Sequence, residues 1–159
     1  MRRLVILRHA KAANPEGVDD HERPLAARGH VDAAAVGAWL VGHDTAPDLV
    51  LCSTSRRTRE TWADVAAALP TTPTVRYDDR VYLASALDLL ELVTEVDDDV
   101  QTLALVGHNP STSQLSRLLD PVNGAELATA GIALHDLDAP WRATRPGAAA
   151  LVKAHTARG

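Results

Sequence analysis

Two histidines in this chain follow directly on short apolar runs. Leu4-Val5-Ile6-Leu7 leads into Arg8-His9, and Leu103-Ala104-Leu105-Val106 leads into Gly107-His108. A third run, Leu49-Val50-Leu51-Cys52, ends at Ser53 and opens onto Arg56, Arg57 and Arg59. An imidazole serves as nucleophile or as acid and base. Guanidinium forks match phosphoryl oxygens, and a helix N-terminus adds backbone N–H groups and a favourable dipole. Gathered in one place, these residues suit the transfer of a phosphoryl group. A histidine held among cations has a depressed pKa. It stays neutral near pH 7, with a lone pair available for attack.

The elements around them are of the kind that would gather them. A short apolar run suits a strand buried on both faces of a parallel sheet. Ligands of open α/β sheets bind beyond the carboxyl ends of such strands. In chain order the pattern predicts a strand over Leu4 to Leu7, a long polar loop over Ala10 to Leu25, and a helix from Ala27 to Val41. The buried face of that helix is expected to carry Val31, Ala34, Ala35, Ala38 and Trp39. A strand over Leu49 to Cys52 precedes a cap signal at Ser53-Thr54-Ser55 and a helix from Arg56 to Leu69. Trp62, Val65, Ala66 and Leu69 give that helix its stripe. Thr74 to Tyr77 reads as a third strand, and Asp78-Asp79-Arg80 opens a loop. Ser85 with Asp88 predicts a capping box for a helix reaching Val96. After the fourth strand, Asn109 as N-cap and Pro110 at the first helical position start another helix. Gly131 to Leu137 and Ala148 to His155 complete the sheet. Strands alternating with helical stripes predict one α/β domain over residues 1–159, in three layers with a mostly parallel sheet.

Composition narrows the chemistry. Hydrophobic residues make up 46% and charged residues 23% of the 159, so the chain is globular rather than disordered. A net charge of -5 argues against nucleic acid as the main partner. Cys52 is the only cysteine, which excludes an internal disulfide and a cysteine-rich zinc site. His21, His30, His43, His135 and His155 show no paired ligand spacing, so no metal is expected. No apolar run approaches the roughly 18 residues of a membrane span. Met1-Arg2-Arg3 is followed by too short an apolar run for a signal peptide, so the cytoplasm is the expected compartment. Neither a Gly-x-x-x-x-Gly-Lys loop nor a Gly-x-Gly-x-x-Gly turn is present, which removes two nucleotide-binding classes. Cys52 lacks a glycine-rich, arginine-closed loop after it, which argues against a cysteine phosphatase.

The ordered set of motifs resembles the histidine phosphatase superfamily, and most closely its small SixA-like branch of phosphohistidine phosphatases. The matching pieces are Leu7-Arg8-His9-Ala10, Arg23-Pro24-Leu25, Ser53-x-x-x-Arg57-x-x-x-Thr61 and Gly107-His108-Asn109-Pro110. The resemblance implies a phosphoglycerate mutase-like α/β/α sandwich and a metal-independent phosphatase that needs no cofactor. It implies that His9 is the nucleophile, and that Arg8, Arg57 and His108 hold the phosphoryl oxygens. It further implies a carboxylic acid on the loop after the third strand. Asp79 is the candidate and Asp78 its rival; relatives often have Glu there, one methylene longer. The expected catalytic set is therefore His9, Arg8, Arg57, His108 and Asp79. The expected substrate-binding set is Arg8, Arg23, Arg57, His108 and Asn109. The implied partner is a phosphohistidine-bearing protein or a small phosphorylated metabolite, met by a monomer or weak dimer without nucleic acid or membrane. Two alternatives stay open at this point: a phosphatase for a small phosphoester or nucleotide, and a phosphate-binding module without turnover.

Overall fold

The computed structural model describes residues 1–159. Six strands form one sheet in the order β3-β2-β4-β1-β5-β6. They are β1 (Arg2–Arg8), β2 (Leu49–Cys52), β3 (Thr74–Tyr77), β4 (Thr102–Gly107), β5 (Gly131–Leu137) and β6 (Ala149–Thr156). β1, β2, β3 and β4 pair in parallel, while β5 lies antiparallel to β1 and β6 antiparallel to β5. The helices are α1 (Ala27–Gly42), α2 (Arg56–Ala67), α3 (Asp79–Tyr82), α4 (Ala86–Thr94) and α5 (Ser111–Leu119).

Side chains alternate across a strand, and the central strands here bury both alternations. Leu4, Ile6, Leu103 and Leu105 enter one core with Leu89, Val93, Leu115 and Leu119 of α4 and α5. Val5, Leu7, Ala104 and Val106 enter the other with Ala33, Val36, Leu40, Trp62 and Val65 of α1 and α2. The result is a three-layer α/β/α sandwich, as the strand pattern predicted. No helix is long and apolar enough to cross a membrane.

Three local expectations need correction. The buried face of α1 carries Gly29, Asp32, Ala33, Val36, Gly37 and Leu40, whereas Val31 is 49% exposed. Alanines surround this helix and blur its periodicity; its glycines mark the packed side instead. A Cβ on Gly37 would lie 2.5 Å from the Val65 carbonyl oxygen, so only hydrogen fits where α1 crosses α2. Trp39 stays near the surface, stacked between His43 and His155 with ring centroids 3.9 and 5.1 Å away. The loop after β3 folds at once into the short helix α3, capped by Asp78, whose side chain accepts from the Arg80 N–H. Helix α5 starts one residue late, at Ser111, with Pro110 at the cap position. Asn109 still caps it in part, because its Oδ1 accepts from the Ser113 N–H at 3.3 Å. The capping box predicted at Ser85 and Asp88 is present in both directions.

Gly29 ties this packing to the strand end. A Cβ there would fall 2.1 Å from the Lys11 carbonyl oxygen, which also accepts from the Ala26 N–H at 2.9 Å. The first turn of α1 therefore presses on the backbone just after His9-Ala10. Gly29→Ala should force these segments apart and destabilise the protein by about 1–3 kcal/mol, the usual range for overpacking. Denaturant unfolding checks the loss. An unchanged midpoint would mean that the contact yields freely.

Candidate active site

Sheet order alone brings the two histidines together. β1 and β4 are neighbours with Arg8 opposite Gly107, and the His9 N–H donates to the Gly107 carbonyl at 3.1 Å. β2 flanks β4 on the other side, with the Ser53 N–H donating to the Val106 carbonyl at 3.1 Å. His9, His108 and Ser53 thus emerge side by side at the carboxyl ends of adjacent parallel strands. The His9 and His108 ring centroids are 5.3 Å apart.

His9 has a fixed tautomer. Its Nδ1 lies 2.7 Å from the Ala10 carbonyl oxygen. A carbonyl only accepts, so Nδ1 carries the hydrogen and the lone pair sits on Nε2. Ala10 is itself pinned, since its N–H donates to Thr61 Oγ1 at 3.1 Å, and that hydroxyl donates to the Arg57 carbonyl at 2.7 Å. Thr61 of the predicted helix motif therefore joins α2 to the residue after the histidine. Burial pushes the His9 pKa down to about 4, and Arg57, Arg8 and Arg23 push it the same way.

His108 is buried, and its Nε2 lies 2.9 Å from Ser53 Oγ. Ser53 Oγ also accepts the Ser55 N–H at 3.3 Å, and in one of the two His108 tautomers it gives its own hydrogen to the imidazole. That arrangement puts the His108 hydrogen on Nδ1, a buried atom with no protein partner. A bound oxyanion would give it one. Burial, with His9 and Arg57 nearby, holds the His108 pKa at about 3.

The arginines divide. Arg57 is only 7% exposed; its Nη1 donates to the Asp20 carbonyl at 2.8 Å and its Nη2 to Asp20 Oδ2 at 3.1 Å. Arg8 donates through Nη1 to the Leu127 carbonyl at 3.1 Å, while its buried Nε has no partner. Arg23 pins its loop through the Ala13 carbonyl and reaches Asp20 Oδ1 at 3.3 Å, near enough to His9 for its charge to count. Arg56 pairs with Glu60 and Arg59 with Glu22 on the exposed side of α2.

Two expected residues make no hydrogen bond to the histidines or to the arginines. Asp79 accepts from Thr54 Oγ1 at 2.5 Å and lines a groove of about 310 Å³ with Asp88, Glu91 and Glu95. It shares no hydrogen bond with either histidine, Arg8 or Arg57. Asn109 has both ends of its amide engaged within the fold, Nδ2 on the Leu127 carbonyl at 2.7 Å and Oδ1 on Thr112 and Ser113. It shapes the strand end and keeps one amide hydrogen beyond the one given to Leu127. Asp78, the rival acid, is held by Arg80.

Asp20 and Tyr82 went unnoticed in the sequence. The Asp20 carboxylate accepts from Arg57, from Arg23 and from the Tyr82 hydroxyl at 2.5 Å, which together hold its pKa down at about 2. The Tyr82 ring meets His108 edge-on at 5.6 Å and His21 at 4.7 Å. The available signal was Asp20 three residues before Arg23, a spacing at which opposite charges meet in a single turn.

The family Histidine phosphatase superfamily (branch 1) matches residues 4–81, a span that holds His9, Arg57 and Arg23. A protein assigned as phosphohistidine phosphatase SixA from Nakamurella multipartitia is 33% identical, with a TM-score of 0.84 over 98% of this chain and 96% of its own. The chain belongs to the histidine phosphatase superfamily. It is a hydrolase of the phosphatase kind, SixA-like in structure. An uncharacterized protein of Mycobacterium tuberculosis (strain H37Rv) is 40% identical over 96% of this chain and 100% of its own length. A mycobacterial glucosyl-3-phosphoglycerate phosphatase shares the fold at a TM-score of 0.71 and 18% identity, over 96% of this chain and 98% of its own.

The depressed histidines of this superfamily member have a consequence for stability. An unfolded histidine titrates near pH 6.5, but His9 and His108 stay neutral when folded until about pH 4 and pH 3. Between these limits the unfolded chain binds protons that the folded chain refuses. Stability is therefore fully present above about pH 6.5 and falls as the pH drops toward 4. Thermal melts from pH 7.5 to 4.5 should show this decline, and His108→Gln should make it shallower. An equal slope in the variant would contradict the assignment.

Proposed function

We propose that this protein is a metal-independent phosphatase that works through a phosphohistidine intermediate on His9, with protein-borne phosphohistidine as its substrate class. The observation that carries the reading is the fixed His9 tautomer. Its Nδ1 hydrogen is engaged by the Ala10 carbonyl and its Nε2 lone pair is free, beside His108 and among guanidinium groups.

His9 Nε2 attacks phosphorus in line with the leaving group. Charge on the equatorial oxygens is met by Arg8 and Arg57 and by the unpartnered Nδ1–H of His108. Arg8 Nε and His108 Nδ1 are unpartnered before substrate arrives, whereas Arg57 exchanges its Asp20 contacts for the phosphoryl oxygens. Water then attacks the phosphohistidine and returns free His9. The cations of the chain do the work that a metal does elsewhere.

Protein-borne phosphohistidine is favoured by two considerations. The SixA-assigned structure is 33% identical to this chain, whereas the glucosyl-3-phosphoglycerate phosphatase is 18% identical. A phosphorylated imidazole protonated on its ring also departs as a neutral group, so it demands less acid assistance than an alkoxide. The glucosyl-3-phosphoglycerate phosphatase carries the second reading, a small phosphoester, because a closely similar fold acts on one.

Rapid quenching should trap phosphate on His9, stable to base and lost in acid, and turnover of an aryl phosphate should survive EDTA. A strict requirement for a divalent ion, or label on Ser53 or Cys52, would sink the mechanism. Higher kcat/KM on phosphohistidine than on any alkyl phosphate supports the substrate class; a sugar phosphate turned over fastest would overturn it.

The arginines give a second test. Arg57→Ala should remove roughly 10²-fold or more of activity, as loss of one oxyanion donor does. Arg56→Ala should leave it nearly unchanged, since Arg56 faces Glu60 at the surface. Steady-state kinetics of both variants check the order.

A further inference from the structure

The phosphatase reading needs an acid for the leaving group, and the residue expected from sequence makes no hydrogen bond to either histidine, Arg8 or Arg57. The Asp79 carboxylate is bonded to Thr54 and faces a groove with Asp88, Glu91 and Glu95. We propose that Asp20, on the loop between β1 and α1, is the carboxylate that protonates the leaving group, in place of Asp79. The inference rests on the phosphatase reading and adds a catalytic residue to it.

Position comes first. Asp20 accepts from Arg57 Nη2 at 3.1 Å, from Arg23 Nη1 at 3.3 Å and from the Tyr82 hydroxyl at 2.5 Å. Tyr82 in turn packs edge-on against His108. No other carboxylate bonds to Arg57. The Asp20 side chain is 54% exposed, whereas Arg57 and His108 beneath it are buried. In an in-line displacement the leaving group departs on the side opposite the nucleophile. We place the leaving group on the exposed side, where Asp20 lies over the buried Arg57.

Charge comes second. In the ligand-free protein Asp20 is an anion held by Arg57 and Arg23. An arriving phosphoryl group takes up the Arg57 donors and sets further negative charge beside Asp20. Loss of a cationic partner and gain of a like charge both favour the protonated carboxyl. Substrate docking thus loads the acid with a proton from solvent. As the His9 Nε2–phosphorus bond forms, the bond to the leaving oxygen or nitrogen breaks, and that atom receives the Asp20 proton. In the second half-reaction water attacks phosphorus and gives one proton back to Asp20. The phosphorus–nitrogen bond breaks, and phosphate and neutral His9 are released. Tyr82 is a positioning residue that aims the carboxylate.

The alternative is that Asp20 only clamps Arg57, and leaving groups separate the two. Asp20→Asn keeps the size and an acceptor for Arg57 but has no acidic proton. It should lower kcat on phenyl phosphate by at least ~10²-fold, within the usual range for a general acid, and on 4-nitrophenyl phosphate by much less. The dependence of kcat/KM on leaving-group pKa should steepen, and Asp20→Glu should restore part of the loss. Asp79→Asn should affect both esters alike and slightly. Equal losses from Asp20→Asn on both esters, carried mainly by KM, would reduce Asp20 to a clamp and overturn the proposal, as would a loss selective for phenyl phosphate in Asp79→Asn. The control is a nitrophenol burst and trapped phosphohistidine with the unmodified enzyme. Their absence overturns the phosphatase mechanism and this assignment with it; their presence alongside equal losses overturns only the assignment.

Discussion

The bond between His9 Nδ1 and the Ala10 carbonyl is the contact around which the site is built. It decides which ring nitrogen carries the lone pair. A net neutral hydrogen bond contributes only about 1 kcal/mol to stability, so its importance here is orientational. Ala10 is fully buried and cannot drift, because Thr61 holds its N–H while the Lys11 carbonyl presses on Gly29. Two helices on the same face of the sheet, α1 and α2, thus converge on one peptide unit beside the histidine.

The electrostatic design follows from burial at a strand end. His9 and His108 are taken out of water and set near guanidinium groups, so both favour the neutral form. The same positive field draws in an anion. Without substrate the anion at Arg57 is the protein's own, the Asp20 carboxylate with its backbone carbonyl. Cys52, one residue before the Ser53 that orients His108, shows the contrary use of burial: its thiol is pushed up to about 12 and is inert packing.

Much of this could be read from the chain, for identifiable reasons. Strands buried on both faces announce themselves as unbroken apolar runs, so β1, β2 and β4 and the residues at their ends were legible. The Ser85–Asp88 box was legible because capping is a local interaction with fixed spacing. What escaped depends on contacts distant in sequence. Asp20 meets Arg57 across 37 residues and Tyr82 across 62, and only its spacing from Arg23 distinguishes it among the acidic residues of the loop. The face of α1 escaped because close helix contact is made through Gly29 and Gly37, where periodicity of apolar side chains looks for bulk. The family likeness points to Asp79, whose carboxylate, in the short helix α3, accepts from Thr54.

The loop that bears Asp20 and Arg23 is pinched at its base, where Ala12 and Leu25 form an isolated antiparallel bridge. Leu25 is buried and its N–H is tied to Glu60 of α2. The two stems are therefore held whatever lies between them, and extra residues in a loop with fixed ends add little closure entropy. The residues around Asp20 and Arg23 form a segment whose length is free while its ends stay beside a fixed nucleophile. Lineages could lengthen or reword it to suit new phosphorylated molecules without disturbing the peptide unit that aims His9.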